Sequence, residues 1–470
     1  MERLNSKHIS TSKSFIIAGL VLLLAGFAAG LTGALQYIIP GFFKETLSFE
    51  KIRPLHVSSV VFWIILAASG GVVSYLQEYT ARKIYSPLLL KMQLFLFLFS
   101  ILCILSSYCM GIFGGREYWE FSPVLAIPVI TAWLLFLYNF TRSVGSLKKQ
   151  PVYIWMWLTG IVFFLFTFLE SYLWLIPSFR SSIITDMTIQ WKAYGSMVGS
   201  WNMLIYGSSI FLMEKISGNK GYSRSRLAFG LYFTGLFNLM FNWGHHIYTL
   251  PTIHYVKLIS YAVSMTELFI LGQIIYKWRS TVSAVRRHFH QKAYRFLIAA
   301  DAWIFLNLIL AIAMSVPGIN LYTHGTHITV AHTMGATIGI NSFLLLAIGF
   351  DILHTTCRPF APYEKWLNRG YWITNVSLLV FWTSLIIAGV LKAKWQMSEE
   401  QVPFSTMMSR LRPFFIAFFV SGFSMMTGFI LIIYPLVKNQ LSCYFKQFFK
   451  KEKSTALYPA KAYAADPLLP

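Results

Sequence analysis

The sequence has 470 residues, of which 56% are hydrophobic, 17% aromatic and only 12% charged. An ordinary soluble domain carries about 25% charged residues, so this composition excludes that class and indicates a membrane protein. The formal net charge of +22 does not indicate nucleic-acid binding, because the basic residues cluster in alternate loops, as in membrane proteins whose cytoplasmic loops face anionic lipid.

Apolar windows of about 20 residues, the length at which a helix crosses a bilayer, recur along the whole chain. They predict an all-α, polytopic membrane protein, a bundle of twelve transmembrane helices in which residues 1–453 form one domain. The predicted spans are 14–38, 56–77, 88–112, 122–141, 152–177, 193–213, 227–248, 254–276, 296–317, 325–351, 370–391 and 413–437. The loops rich in Lys and Arg place both termini in the cytoplasm. The C-terminal tail, 454–470, is predicted to be disordered.

Three of the predicted helices carry histidine at a similar depth in the membrane. His56 begins span 2, His245 and His246 form an adjacent pair near the end of span 7, and His332 lies early in span 10. With both termini in the cytoplasm, all four residues lie in the outer part of the bilayer. Because imidazole is costly to bury in lipid, this convergence favours metal or heme ligation over separate packing roles.

Helix geometry separates two residues of span 10. His332 and Met334 are about 200° apart around a helix, so their side chains point to nearly opposite faces and one helix could contact two hemes. His and Met are both axial heme ligands in proteins. His56 could approach one heme from the side opposite Met334. The adjacent His245 and His246 could bind one ion only with a local distortion of their helix.

Five segments resemble the heme-copper oxidase superfamily, and most closely the large, catalytic subunit of nitric oxide reductase. They are RPLHVSSVVFWIILAASGGVVSYL (53–76), GREYWE (115–120), NWGHHIY (242–248), SMTELFI (264–270) and VPGINLYTHGTHITVAHTM (316–334). The resemblance covers nearly all of the predicted spans. It implies a respiratory oxidoreductase of the bacterial inner membrane that reduces NO to N2O or O2 to water. Its electrons would come from a cytochrome c-type small subunit or from quinol.

The resemblance also implies which residues hold the cofactors. His56 matches a ligand of a low-spin heme, and His332 matches the axial ligand of a high-spin heme, both of b type. His245 and His246 match ligands of a non-heme iron or copper ion. Glu267 matches an acidic residue close to that ion. Electrons would pass from the low-spin heme to the high-spin heme, where the gas is reduced beside the non-heme metal.

Charged residues near the predicted outer surface extend this assignment. Glu117 and Glu120 stand at the two acidic positions of an outer loop of the reductases, where the resemblance implies a metal ion such as calcium. Arg410 and Arg412 lie at the outer end of span 12. Heme propionates would need cations there, although lipid headgroups would attract the same side chains.

Two departures from the family pattern bear on the function. Met334 stands where the family's His-x-His pattern has its second histidine. This predicts a low-spin heme held by His56 and Met334. The alternatives are a five-coordinate low-spin heme or the absence of that heme. Span 6 of the family carries a third histidine for the metal and, in the reductases, a glutamate one turn later. Tyr194 and Val198 stand at these positions. Tyr194 or Glu267 could complete the metal site, or Tyr194 could be a packed aromatic residue and the site empty.

The sequence therefore leaves three functions open. The first is the gas-reducing oxidoreductase. The second is a degenerate relative that keeps the hemes and acts in electron transfer or gas sensing without turnover. The third is a transporter without a cofactor, against which the lack of an internal repeat argues. The four cysteines form no CxxCH motif, which argues against covalent heme, so the electrons for either heme protein must come from a partner.

Overall fold

The computed structural model describes residues 11–281, 287, 290–354, 361–400 and 402–455. Regular structure in this part of the chain is helical, and β-type pairing there is limited to an isolated bridge between Arg116 and Trp119. The main helices are α1 (Thr11–Ile38), α2 (Phe49–Thr80), α3 (Pro87–Cys109), α4 (Ala126–Val144), α5 (Val152–Glu170), α6 (Ile183–Ser217), α7 (Arg226–Phe241), α8 (His254–Thr281), α9 (Gln291–Ser315), α10 (residues 327–354), α11 (Glu364–Gln396) and α12 (Phe404–Thr455). Each of them coincides with one predicted span.

Among the described helices, nine are long and apolar enough to cross a membrane by length and composition, namely α1 to α5 and α9 to α12. The other three predicted spans, α6, α7 and α8, are helical but fall outside this group. The chain is thus an all-α, polytopic membrane bundle. The tail predicted to be disordered comprises residues 454–470. Its first two residues end α12, and residues 456–470 lie outside the described part of the chain.

The centre of the bundle is formed by α2 and α10. In the most apolar 18-residue window of each helix, 78% of α2 and 89% of α10 is buried, more than in any other of the nine helices. Both helices are apolar all round, as expected for helices enclosed by other helices rather than by lipid on one side. The two helices contact each other along the last part of α10, Phe343–His354.

α10 is not a uniform helix. It begins as an α-helix (His327–Met334), continues as a π-helix (Gly335–Ser342) and ends as an α-helix (Phe343–His354). The sequence predicted one continuous span, because hydropathy does not distinguish α from π geometry. π-helical turns are rare and are found frequently at functional sites.

Glycines let α1 approach α2 closely, as small residues do at many helix contacts in membranes. A Cβ added at Gly19 would lie 2.9 Å from the Trp63 ring and 3.1 Å from its carbonyl oxygen. A Cβ added at Gly70 would lie 2.6 Å from the Ser12 carbonyl oxygen. The contact between the two helices therefore depends on these positions having no side chain.

We predict that Gly70→Ala destabilises the bundle. The added methyl group would force α1 away from α2, at a cost of about 1–3 kcal/mol of the free energy of unfolding. The measurement is the thermal unfolding midpoint of the detergent-solubilised protein. Gly230→Ala in α7 is the control, because nothing lies within 4 Å of an added Cβ there and alanine favours helix. An unchanged midpoint for Gly70→Ala would contradict this close packing of α1 on α2.

Candidate functional site

Two hydrogen bonds fix the register between α2 and α10. Trp63 Nε1 donates to Ser342 Oγ at 3.0 Å. Further along both helices, the Tyr75 hydroxyl donates to Asp351 Oδ2 at 3.2 Å. Because the residue numbers rise together from one bond to the next, the two helices run in the same direction. Residues equally far before the first bond therefore lie at the same level.

His56 and Met334 are such a pair. His56 precedes Trp63 by seven residues and Met334 precedes Ser342 by eight, so each lies roughly 10 Å before the first hydrogen bond. Met334 is partly buried and packs against the main hydrophobic core. We call the region that contains His56 and Met334, together with His245, His246, His324 and His332, the histidine end of the bundle.

The imidazole of His56 is held by α1. Its Nδ1 lies 2.7 Å from the carbonyl oxygen of Gly26, and a Cβ added at Gly30 would lie 2.7 Å from the same nitrogen. Since a carbonyl oxygen only accepts, Nδ1 carries the proton and Nε2 is left with its lone pair. Axial histidines are commonly oriented by such a bond from the second ring nitrogen. His56 therefore fits a heme iron ligand.

Two buried polar atoms without a hydrogen-bond partner in the described structure, Asn307 Oδ1 and Trp382 Nε1, lie beside Gly335 of the π-helix. The imidazole of His332 lies near the backbone of Asn307. A Cβ added at Gly335, in the π-helix, would collide with Asn307 Oδ1 and lie 3.2 Å from Trp382 Nε1. Buried polar atoms are nearly always hydrogen-bonded. These atoms therefore fit a site where a bound group that is not protein, such as a heme, supplies the missing contacts.

The paired histidines lie in a 3-10 helix, Asn242–Ile247, that continues α7. This is a local distortion of the kind that the sequence required if both residues are to act together. The ring centroids of His245 and His246 are 4.2 Å apart with an angle of 44° between the planes. His324 and His332 lie in the same region. The structure therefore places the pair on the side of the bundle that holds the other site histidines.

Trp191 of α6 stacks on one histidine of this pair. Its ring is stacked on the imidazole of His246, with centroids 4.6 Å apart and 12° between the planes. It also meets His324 edge to face at 6.3 Å. Trp191 is not among the site residues predicted from the sequence, because the family motif points to Tyr194, three residues later, for this place.

Two glycines of α6 continue the contact along the same face. A Cβ added at Gly195 would lie 2.6 Å from Trp243 Cβ, and one added at Gly199 would lie 2.9 Å from the Leu239 Cα and Cβ atoms. Trp191, Gly195 and Gly199 are spaced by four residues, so they form one stripe along a helix. This spacing was the signal in the sequence that could have identified the face of α6 directed at the paired histidines.

The structure places the predicted residues of span 6 elsewhere. Tyr194 is buried and packs edge to face on Tyr118, with centroids 5.2 Å apart, and Val198 is 39% exposed. Glu267 lies within α8, and its side chain is outside the described residues. Within the described part of the chain, no three His, Cys, Asp or Glu side chains are grouped as a metal site requires.

Arg53 binds both acidic residues of the loop before α4. One guanidinium nitrogen pairs with Glu117, and the other lies 3.1 Å from Glu120 Oε1. The pKa of the Glu120 carboxyl is raised, because the effect of burial exceeds the opposite effects of backbone hydrogen bonds and of Arg53. A calcium ion at this loop would have to compete with Arg53 for both carboxylates. Because Arg53 precedes His56 by one helical turn, the ion pairs also attach the loop to the helix that carries His56.

The two arginines proposed for heme propionates lie near the beginning of α12. Arg410 and Arg412 are both exposed. The structure therefore presents them at the surface of the bundle and does not bring them to the buried polar atoms beside Gly335. Lipid headgroups, the alternative partner for these cations, are accessible at such positions.

We predict that Gly30→Ala weakens the low-spin heme site while leaving the second heme in place. The added methyl group would collide with His56 Nδ1 and displace the ring from the Gly26 carbonyl oxygen. The measurement is the absorption spectrum of the reduced protein, before and after CO. Gly33→Ala is the matched control on the same helix, because its nearest neighbour is the side-chain methyl of Ile52 at 3.0 Å. Equal spectra for both variants would contradict the role of Gly30.

Comparison with known proteins agrees with this arrangement of helices. The chain is 21% identical over 457 residues to a subunit of the nitric oxide reductase of Stutzerimonas stutzeri, covering 90% of this chain and 94% of that protein. It is 20% identical over 465 residues to a cytochrome c oxidase subunit 1 homolog of Agrobacterium tumefaciens (strain T37), covering 93% and 84%. The fold resembles that in a cryo-EM structure of a heme-copper terminal oxidase dimer, with a TM-score of 0.65, 13% identity and coverage of 95% of this chain and 84% of that chain. Residues 10–434 match the model of the family described as cytochrome c and quinol oxidase polypeptide I, and the chain therefore belongs to this family, subunit I of the heme-copper oxidases.

Proposed function

We propose that the chain is the heme-bearing subunit of a respiratory oxidoreductase in a bacterial inner membrane, which delivers electrons to a heme where NO or O2 is reduced. The observation that carries this proposal is the shared level of His56 and Met334 on neighbouring central helices, with His332 two residues from Met334. Membership of the heme-copper oxidase family supports the same class of reaction.

In this proposal His56 and Met334 hold a low-spin heme, and His332 holds a high-spin heme. When bound, these groups supply one-electron transfer and a binding site for a diatomic gas. The protein contributes orientation: His56 Nδ1 donates its proton to the Gly26 carbonyl oxygen, which leaves the lone pair of Nε2 available to hold a heme iron. The apolar residues of α2 and α10 keep bulk water away from both sites.

The proposed topology has twelve spans with both termini in the cytoplasm. α7 contains 16 residues and the 3-10 helix that follows contains six. Together they extend about 36 Å, which exceeds the hydrocarbon thickness of about 30 Å. The paired histidines then lie at the outer side, where a cytochrome c-type subunit would deliver electrons; quinol is the alternative donor.

A second candidate function is electron transfer or gas sensing by a heme protein that does not turn its ligand over. The metal ligands favour it, because within the described residues no three His, Cys, Asp or Glu side chains are grouped as a non-heme metal would need. Consumption of NO and of O2 by the reduced, purified protein, followed with electrodes, distinguishes the two candidates. If protein that binds CO consumed neither gas, the first function would be rejected.

We predict that His332→Ala removes the CO-binding heme signal and leaves the low-spin spectrum. The reason is that His332 supplies the axial ligand of the heme to which CO binds, whereas His56 and Met334 are unchanged. The measurement is the CO-difference spectrum of the reduced variant. Thr333→Ala is the control, because Thr333 is exposed on the adjacent surface of α10. A normal CO-difference spectrum in folded His332→Ala protein would refute this assignment.

We also predict that Met334→His lowers the midpoint potential of the low-spin heme. Methionine sulfur favours ferrous iron, so His/Met ligation raises the potential relative to bis-histidine ligation. The shift should be on the order of 0.1 V, within the ~0.8 V that axial ligands span. The near-infrared charge-transfer band of sulfur ligation should disappear as well. Met334→Leu, which removes the sulfur at similar volume, should lose sixfold coordination. A bis-histidine spectrum in the unaltered protein would contradict the assignment of Met334.

A further inference from the structure

We propose that α11 and α12 form a binding site for an anionic phospholipid at the end of the bundle opposite the histidine end. In α11, Gly389 lies against Ile328, within the histidine end, whereas Gly370, near the beginning of the helix, lies against Gly428 of α12. Since a helix rises 1.5 Å per residue, these two parts of α11 are roughly 28 Å apart. The proposed site is therefore remote from the histidines, and the inference does not depend on the proposed reaction.

Three aromatic rings and one ammonium group form the polar end of the proposed site. The ring centroids of Tyr363, Trp366 and Tyr434 lie 6.0 to 6.4 Å from one another. Lys438 Nζ lies 5.7 Å from the ring centroid of Tyr363 and 5.2 Å from that of Tyr434. These distances are typical of cation–π contacts. The rings therefore hold the ammonium group at a defined place, and Tyr and Trp are the residues that membrane proteins place at the level of the lipid headgroups.

The charges beside these rings are positive. Lys365, Arg369 and Lys438 are exposed and belong to none of the ion pairs in the described part of the chain. The neighbouring Glu364 lies 3.6 Å from Lys292. Three such cations favour an anion as the partner. A second copy of the chain fits poorly, because a two-fold contact would bring the same cations face to face.

An exposed apolar stripe leads away from the polar end along each of the two helices. Its residues are Trp372, Val376 and Leu379 on α11 and Val420, Phe423 and Ile430 on α12. Successive members are three, four or seven residues apart, so each stripe follows one face of its helix, and Arg369 and Lys438 extend the two stripes. Exposed apolar residues occur wherever a helix faces lipid, so any selectivity comes from the polar end. A phospholipid fits both parts, with its acyl chains along the stripes and its phosphate beside the cations.

The test counts the lipid bound to the detergent-purified protein by native mass spectrometry. Dioleoyl phosphatidylglycerol is compared with dioleoyl phosphatidylcholine, which has the same acyl chains and no net charge. We expect one phosphatidylglycerol to bind in preference, and Lys438→Gln to reduce this preference about fivefold, the effect of one Lys or Arg at an anionic lipid surface. Tyr434→Leu, which removes one of the two rings under the ammonium group and keeps every charge, should reduce it by a smaller factor.

Lys83→Gln is the matched control. Lys83 is exposed in the loop between α2 and α3, at the end of α2 where Tyr75 bonds to Asp351, and it lies over no aromatic ring in the described structure. The variant removes the same charge at the same end of the bundle, so it should leave the preference for phosphatidylglycerol unchanged. The thermal unfolding midpoint in lipid-free detergent should be equal for all three variants, because each replaces an exposed side chain.

Equal binding of the two lipids by the unaltered protein would overturn the inference. Equal losses in Lys438→Gln and Lys83→Gln would also overturn it, since they would indicate a general attraction of basic loops. Displacement of the lipid by an equal concentration of inorganic phosphate would assign the site to a free anion instead. A lipid-free dimer that dissociates in Tyr434→Leu would assign the face to a second copy. Heme content and CO binding of the same samples report on the proposed function alone.

Discussion

The hydrogen bond from Trp63 to Ser342 lies inside the two most enclosed helices, where water does not replace a lost partner. Sliding α2 along α10 would leave a buried donor and a buried acceptor unsatisfied, at about 1–3 kcal/mol for each. The bond from Tyr75 to Asp351 adds the same constraint nearer the other end. Everything at the histidine end depends on this register, because it decides which residue of α10 stands level with His56.

The sequence predicted where helices lie and which histidines approach one another, because the need for about 20 apolar residues per span is a local property. It did not predict the face that α6 turns toward the pair. Two of the three residues on that face are glycines, Gly195 and Gly199, and hydropathy does not mark a glycine as a contact residue. The resemblance assigns Tyr194 to the position of a family ligand, whereas the stacking contact with His246 is made by Trp191, and Gly195 and Gly199 allow the neighbouring turn to approach. The π-helix was not predicted either, because hydropathy does not distinguish π-helix from α-helix.

The two departures from the family have a common chemical character. By the resemblance, Met334 stands where the family has an imidazole and offers a softer and weaker thioether ligand, and Tyr194 stands where the family has the third histidine of the metal site. Both retain bulk and apolar contact while reducing the capacity to bind metal. Such replacements leave the packing of the bundle possible, and Arg53 attaches the loop of Glu117 and Glu120 to α2.

The π-helical segment of α10 makes the number of residues in this helix as important as their identity. A π-helix accommodates an extra residue per turn, so Gly335–Ser342 sets the rotation of the preceding α-helix relative to Phe343–His354. If the same eight residues formed regular α-helix instead, His332 and Met334 would turn by on the order of 100° relative to the buried end of α10. Such a chain would keep its hydropathy, its span length and every histidine, yet its ligands would face different neighbours. The backbone geometry of this short segment therefore decides which neighbours His332 and Met334 face, independently of which side chains the helix carries.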